Sequence, residues 1–129
     1  MEGGENMDKP LEVVKKFYDI TENKKGEGLE TILTEDMVFV GPLMKSSGAK
    51  EYIKSTIQFI QMHRATRMQK QFVNGDDVCS LYEMDIATPT GEIITMEIAD
   101  WILVKDGKVA KQKIYYDPTE FAKAFGMDK

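Results

Sequence analysis

The stretch Ile94-Thr95-Met96-Glu97-Ile98-Ala99-Asp100-Trp101-Ile102-Leu103-Val104 places one acid in an otherwise apolar row. Successive side chains of a strand point to opposite faces, so the even-numbered residues of this stretch share one surface, and Asp100 is the only charged residue among them. A buried carboxylate must be hydrogen-bonded, ion-paired or protonated, because burying it without partners costs several kcal/mol. Asp100 is therefore the first candidate functional residue.

Composition restricts the class of protein. The 129 residues, of which 42% are hydrophobic and 30% charged, are typical of one soluble globular domain, and a net charge of -5 argues against nucleic-acid binding. The single Cys79 permits no intrachain disulfide, which fits a reducing compartment. No stretch resembles a signal peptide or a membrane span. We expect a cytoplasmic protein without membrane association, with a disordered tail over residues 1–8 and a single domain over 9–129.

The pattern of the first half predicts helices. One helix begins after Asp8, a plausible cap before Pro10, and ends by Gly26. A short helix over about 27–33 and a short strand over 37–40 follow. Ser46-Ser47-Gly48 then opens a third helix with two adjacent inward stripes: Ala49, Ile53, Ile57 and Ile60, and Tyr52, Thr56, Phe59 and His63.

The second half reads as a run of hairpins. Turn signals at 74–75, 89–91 and 105–107 separate four β segments over about 66–74, 77–88, 92–104 and 108–117. A last short helix follows Asp117-Pro118. Helices first and an antiparallel meander after them predict an α+β domain.

The turn over 89–91 fixes one register. Pro89-Thr90-Gly91 suits a three-residue loop with Gly91 in the left-handed conformation. Thr88 then lies opposite Glu92, and the inward pairs are Ile86–Ile94, Met84–Met96, Tyr82–Ile98, Ser80–Asp100 and Val78–Ile102.

The turn over 105–107 allows two registers. A two-residue turn would set Asp100 opposite Lys113 and Ile102 opposite Lys111. A three-residue loop would set Asp100 opposite Gln112, with the further pairs Ile98–Ile114 and Met96–Tyr116. We favour the second register, because the first turns two lysines into an apolar surface.

With these registers, Ser80, Asp100 and Gln112 form a polar line across three strands. The surrounding wall consists of Tyr82, Met84, Met96, Ile98, Ile102, Ile114 and Tyr116. An apolar cavity with a few convergent polar groups is typical of a small-molecule site. The alternative is a polar cluster that satisfies itself inside a filled core, with Asp100 as a structural carboxylate.

The chain resembles the nuclear transport factor 2-like superfamily, and within it the SnoaL-like and ketosteroid isomerase-like proteins. The resemblance runs from about Leu11 to Phe125 and depends on the order and spacing of several segments. These segments are 13–18 (VVKKFY), 33–39 (LTEDMVF), Gly41-Pro42, 99–101 (ADW), 105–109 (KDGKV) and 115–118 (YYDP). It implies a curved antiparallel sheet wrapped around N-terminal helices, with a cone-shaped pocket and a dimeric assembly.

Compared residue by residue, the chain resembles the ketosteroid isomerases at only some of their catalytic positions. Asp100 matches the second acid of the ketosteroid isomerases, whereas Gly41 stands where their proton-shuttling acid would be. Phe17 matches their oxyanion-hole tyrosine, and Tyr18 lies one step away. The SnoaL-type cyclases use a pocket acid as base, a role open to Asp100. Arg64 and Arg67 lie outside the pocket stripe, so the Asp-Arg-Asp arrangement of the epoxide hydrolases of this fold is not matched.

Three functions stay open. The first is an enzyme without metal or organic cofactor, an isomerase, cyclase or hydratase for an apolar carbonyl or ring compound. Asp100 would be its acid or base, and the substrate-binding residues would be Gln112, Ser80, Tyr82, Tyr116, Phe17, Tyr18, Met84, Met96, Ile98 and Ile114. The second is a non-catalytic binding protein for a small apolar molecule, and the third a dimeric interaction module. His63 is expected at the end of the third helix, without a catalytic role.

The face opposite Asp100 predicts the assembly. Cys79, Leu81, Ala99, Trp101 and Leu103 are neighbours on this outer face of the sheet. An apolar patch that includes an indole is a typical partner surface, and a two-fold homodimer would cover it.

Overall fold

The computed structural model describes residues 2–127, with side chains from Lys9 onward, and confirms the α+β class. Its elements in chain order are α1 Glu2–Glu22, a 3₁₀ turn Leu29–Thr31, β1 Leu33–Val40, β2 Lys45–Ser47, α2 Ala49–Ile60, β3 His63–Asn74, β4 Asp77–Ala87, β5 Ile93–Lys105, β6 Lys108–Tyr115 and α3 Thr119–Ala124.

Several predicted boundaries differ from these bounds. The helix predicted over 27–33 shrinks to one 3₁₀ turn. Gly48 is the N-cap of α2, as predicted, but Ser46 and Ser47 belong to the short strand β2, which pairs with β1. His63 begins β3 instead of ending α2. The backbone of α1 begins at Glu2, before the predicted cap. The tail over residues 1–8 stays a prediction: Met1 lies outside the described residues, as do the side chains of 2–8.

The six strands form one curved, unclosed sheet in the order β2-β1-β6-β5-β4-β3. Every neighbouring pair is antiparallel except β1 and β6, which run parallel. The sheet is therefore mixed, whereas the sequence predicted an antiparallel one. Register shifts occur in four places, two of them in β3. Such bulges bend strands and increase twist, which is what a sheet wrapped around helices requires.

The register between β4 and β5 is confirmed. All five inward pairs form as predicted, including Ser80 opposite Asp100. The turn explains the success: Gly91 has a φ of +91°, and the Thr88 amide donates to the Glu92 carbonyl at 2.7 Å.

Both predicted registers between β5 and β6 are wrong. The turn has two residues, Asp106 and Gly107, with φ of 52° and 77°. A bulge then shifts the ladder between Val104 and Leu103, so Asp100 lies opposite Ile114, and Ile102 lies opposite Gln112. The predicted pairs Asp100–Gln112, Ile98–Ile114 and Met96–Tyr116 do not form, because β6 carries one extra residue at this point.

The bulge nevertheless preserves the face of each side chain. Lys111 and Lys113 lie opposite Leu103 and Trp101 on the outer face, as the favoured register required. Gln112 stays on the inner face with Asp100. The sheet thus keeps its lysines out of the core although the strand is shifted by two residues.

The inner face of the sheet packs against the helices in two apolar clusters. The first lies under α1 and α2 and includes Val14, Phe17, Ile20, Leu29, Met37, Tyr52, Val78 and Ile102. The second lies towards α3 and consists of Tyr82, Met84, Ile86, Ile94, Met96 and Ile98, with Phe121 and Phe125 against it. Burial alternates strictly along β4, as expected for a strand with one covered face.

Candidate functional site

Asp100 is completely buried, and its carboxylate is surrounded by hydrogen-bond donors. The Tyr82 hydroxyl donates to Oδ2 at 2.8 Å, and the Tyr18 hydroxyl donates to the same oxygen at 2.9 Å. Gln112 Nε2 lies 2.9 Å from Oδ2 and 3.1 Å from Oδ1. These donors come from α1, β4 and β6, so three separate elements hold one carboxylate.

A fifth residue fixes the orientation of the glutamine. The Tyr52 hydroxyl, from α2, donates to Gln112 Oε1 at 2.6 Å. With its oxygen held by Tyr52, the amide must turn its nitrogen towards the acid. We refer to Asp100, Tyr18, Tyr52, Tyr82 and Gln112 as the carboxylate cluster.

Burial dominates the electrostatics of the cluster. It raises the pKa of Asp100 from 3.8 to about 6, against the opposing effect of the bonds from Tyr82, Tyr18 and Gln112. Burial, reinforced by the nearby Asp100 charge, also raises the pKa of the three tyrosines well above their ordinary value. The tyrosines therefore stay neutral near pH 7, while the acid is close to its titration point.

An apolar cavity of about 370 Å³ lies next to the cluster. Nine of the predicted substrate-binding residues line it: Phe17, Tyr18, Tyr82, Met84, Met96, Ile98, Gln112, Ile114 and Tyr116. Asp100 is not part of the wall and lies behind Tyr18, Tyr82 and Gln112. The polar end of the cavity therefore consists of tyrosine hydroxyls and an amide that are backed by a carboxylate.

Ser80 does not join this cluster in the way the sequence predicted. It lies opposite Asp100 and is fully buried, but its Oγ accepts a hydrogen bond from Gln71 Nε2 at 3.0 Å. The oxygens of Asp100 are taken instead by residues diagonal to it, Tyr82 and Gln112, and by the helix residue Tyr18. Register alone could not anticipate these diagonal contacts.

Sequence reasoning assigned no binding role to several wall residues. From α2, the turn after it and the start of β3 these are Tyr52, Ser55, Thr56, Gln58, Phe59, Ile60, Met62 and His63; others include Thr21, Glu22, Phe39, Leu43, Met44, Phe121 and Met127. The signal for four of them was present, since Tyr52, Thr56, Phe59 and His63 formed an inward stripe. His63 Nε2 lies 2.7 Å from Thr66 Oγ1, which holds the ring at the wall.

Within residues 2–127, no group of three or more His, Cys, Asp or Glu side chains is arranged to hold a metal ion. None of the helices described is long and apolar enough to cross a membrane.

The fold, the cavity and the buried acid together define a class of small α+β pocket proteins, and sequence comparison identifies the family. The sequence model of the SnoaL-like domain matches residues 14–112, which is most of the chain. The chain belongs to the SnoaL-like domain family. No curated protein matches the sequence.

Solved structures share the fold at low identity. An NTF2-like protein of unknown function from Cytophaga hutchinsonii is 20% identical, covering 87% of this chain and 93% of that chain, with a TM-score of 0.73. A protein from Jannaschia, provisionally named a SnoaL-like polyketide cyclase, reaches a TM-score of 0.81 at 13% identity over 96% and 95%. An LEH-like epoxide hydrolase of Mycobacterium tuberculosis reaches 0.78 at 12% over 92% and 90%. At such identities the similarity establishes the fold alone.

Proposed function

We propose that this protein binds an apolar small molecule in the cavity and moves a proton to or from an oxygen of that molecule. The reaction class is a cofactor-independent isomerisation, cyclisation or hydration of a carbonyl or ring compound, with Asp100 as the acid or base. One observation carries the proposal: a fully buried carboxylate sits behind hydroxyl groups that line an apolar cavity. A carboxylic acid that titrates near neutral pH is suited to proton transfer.

The position of Asp100 determines the path of the proton. Because the acid is not part of the wall, a tyrosine hydroxyl must mediate the transfer. The hydroxyl of Tyr18 or Tyr82 gives its hydrogen to the ligand oxygen and takes the carboxyl proton of Asp100 in the same step. Asp100 is then a carboxylate, the tyrosine is again neutral, and the ligand has gained one proton. The reverse sequence deprotonates an enol or hydroxyl group.

The geometry also favours a second candidate, binding without turnover. Both oxygens of Asp100 already accept hydrogen bonds from the protein, so the acid has all the partners that a purely structural carboxylate needs. In this case the cavity would hold its ligand, and the cluster would give the cavity its shape.

Hydrogen–deuterium exchange at the carbons beside the carbonyl of 2-tetralone, a bicyclic ketone, tests both candidates. At about pH 5, where Asp100 is protonated and a tyrosine hydrogen becomes free for the ketone, we expect the protein to accelerate exchange in D₂O, and Asp100→Asn to abolish the acceleration while ligand binding persists. Binding without acceleration in the wild type would select the second candidate. Absence of binding by 2-tetralone and by related bicyclic ligands would refute the proposed use of the cavity.

Two tryptophan substitutions on one strand provide a matched control. Met96 is 8% exposed and lines the cavity, whereas Ile93 is 54% exposed on the same strand and does not line it. Met96→Trp should fill the cavity and remove both binding and exchange. Ile93→Trp adds the same indole outside the cavity and should preserve both. Equal loss in the two variants would mean that the effect is not at the cavity.

We further propose that the outer face of the sheet forms a homodimer. Three aromatic side chains are exposed there, Phe72 at 50%, Tyr115 at 48% and Trp101 at 38%. Lysine ammonium groups lie 5.1–5.4 Å from the centres of these rings, whereas Glu83 and Glu97 face each other further along the sheet. A two-fold axis would bring these lysines of one copy towards Glu83 and Glu97 of the other copy. Sedimentation should show a dimer that Trp101→Glu dissociates; a monomeric wild type at micromolar concentration would contradict this assembly.

A further inference from the structure

We propose that the hydroxyl of Tyr18 presents only a hydrogen-bond acceptor to the cavity, so that the site selects ligands bearing a hydroxyl, enol or phenol over ketones and ethers of the same shape. This inference rests on the proposed function, because it assumes that the ligand occupies the cavity. It adds the chemical class of the ligand.

A count of the phenolic hydrogens leads to this assignment. A neutral tyrosine has one hydroxyl hydrogen to donate and two lone pairs with which to accept. The hydrogens of Tyr18 and Tyr82 are both directed at Asp100 Oδ2, and that of Tyr52 is directed at Gln112 Oε1. All three hydroxyl hydrogens of the cluster are occupied inside the protein, and Ser80 donates to one lone pair of Tyr18. A ligand that meets Tyr18 must therefore supply the hydrogen itself and use the remaining lone pair.

Exposure selects Tyr18 as the point of contact. Tyr82 and Gln112 are each 5% exposed, whereas Tyr18 is only half-buried. The second amide hydrogen of Gln112 is a remaining donor of the cluster, but Gln112 is held from both sides by Tyr52 and Asp100. A ligand oxygen therefore reaches Tyr18 more readily than it reaches the amide.

Protonation of Asp100 should weaken the selection. The titratable groups that face the acid are Tyr18, Tyr52 and Tyr82, and the pKa of each is raised, so each stays neutral below about pH 8. Below about pH 6 the carboxyl can donate its own proton to a tyrosine oxygen. The hydrogen of that tyrosine then becomes free for a ketone, so ketone affinity should rise as the pH falls.

Three naphthalene-sized probes test the inference: 2-naphthol, which donates, 2-methoxynaphthalene, which does not, and the ketone 2-tetralone. At about pH 8 we expect 2-naphthol to bind about tenfold more tightly than either of the others, the worth of one ordinary hydrogen bond. At about pH 5 its advantage over 2-tetralone should shrink to about threefold or less. The same titrations in His63→Gln control for the histidine on the cavity wall: a pH effect that is lost in this variant would not come from Asp100.

Two tyrosine variants locate the effect. Tyr18→Phe should remove the preference for 2-naphthol, whereas Tyr115→Phe, which alters an exposed tyrosine outside the cavity, should retain it. A preference unchanged in Tyr18→Phe would overturn the assignment to Tyr18. If all three probes bind equally and Met96→Trp abolishes their binding, the proposed preference for ligands that donate a hydrogen bond is wrong, while the proposed function stands. Absence of binding by any probe would overturn both.

Discussion

Replacing Asp100 by Asn should change the pH dependence of stability in a defined direction. The folded protein raises the pKa of this acid from 3.8 to about 6, so the folded state binds the proton more tightly than the unfolded chain does. The resulting stabilisation is complete below about pH 3.8 and is lost as the pH rises through about 6. At about 1.36 kcal/mol per pKa unit, the pKa difference corresponds to about 3 kcal/mol. Asp100 is 0% exposed, so solvent screening does not reduce this figure.

Urea unfolding at a series of pH values measures the effect, followed by the fluorescence of Trp101, the only tryptophan. The free energy of unfolding of the wild type minus that of Asp100→Asn should fall by about 1.4 kcal/mol between pH 5 and pH 8. At pH 8 the variant should be as stable as the wild type or more stable, because Asn keeps the shape without a buried charge. A difference that stays constant, or that rises with pH, would refute the assigned direction of the pKa shift.

Asp85→Asn provides a control of opposite sign. Hydrogen bonds from the Arg67 guanidinium, and then from Thr95, lower the pKa of Asp85 below its ordinary value. The contribution of Asp85 is present above its unfolded pKa and is lost as the pH falls. The wild type should therefore gain stability over Asp85→Asn as the pH rises through the acid range. The same trend in both variants would indicate a general charge effect instead of two local environments.

Three further substitutions test individual contacts by chemical denaturation. Tyr52→Phe leaves Gln112 Oε1 without its buried donor and should cost about 1–3 kcal/mol of unfolding free energy; no change would mean that the amide is held by other groups. Gly107→Ala should cost about 1 kcal/mol or more, because φ is +77° there, and a stabilised variant would contradict the described turn. Ile86→Val, at a fully buried position, should cost about 0.5–1.5 kcal/mol, whereas Ile93→Val, at an exposed one, should change stability much less.

The two hairpins around β5 show which part of the sheet could be predicted from sequence. The turn at 89–91 has one conformation that suits Pro and Gly, and the register of β4 and β5 followed from it correctly. The turn at 105–107 is followed by a bulge at which Val104 pairs with Val109 but Leu103 pairs with Lys111. A bulge depends on how a strand must bend over its neighbours, and the alternation of apolar residues on either side does not reveal it.

Part of the candidate site could likewise be predicted from the sequence, and part could not. The acid and the part of the wall formed by β4 and β5 were predictable because their residues alternate along two strands of known register. Tyr52 was identified as an inward residue of α2, but its bond to Gln112 joins a helix to a strand 60 residues away. The rotation of a helix over a sheet is set by tertiary packing, so local sequence does not specify such a partner. The parallel pairing of β1 with β6 is long-range for the same reason.

The carboxylate cluster also affects how the protein folds. Its members come from α1, α2, β4, β5 and β6, and the bond between Tyr18 and Asp100 spans 82 residues of chain. Contacts of such high sequence separation are slow to form and need the rest of the topology in place. The carboxylate of Asp100 should therefore be buried and desolvated late in folding. A ligand held by the cluster would then bind only the complete domain. At a hundredfold excess over its Kd, such a ligand would stabilise the whole domain by about 2.7 kcal/mol.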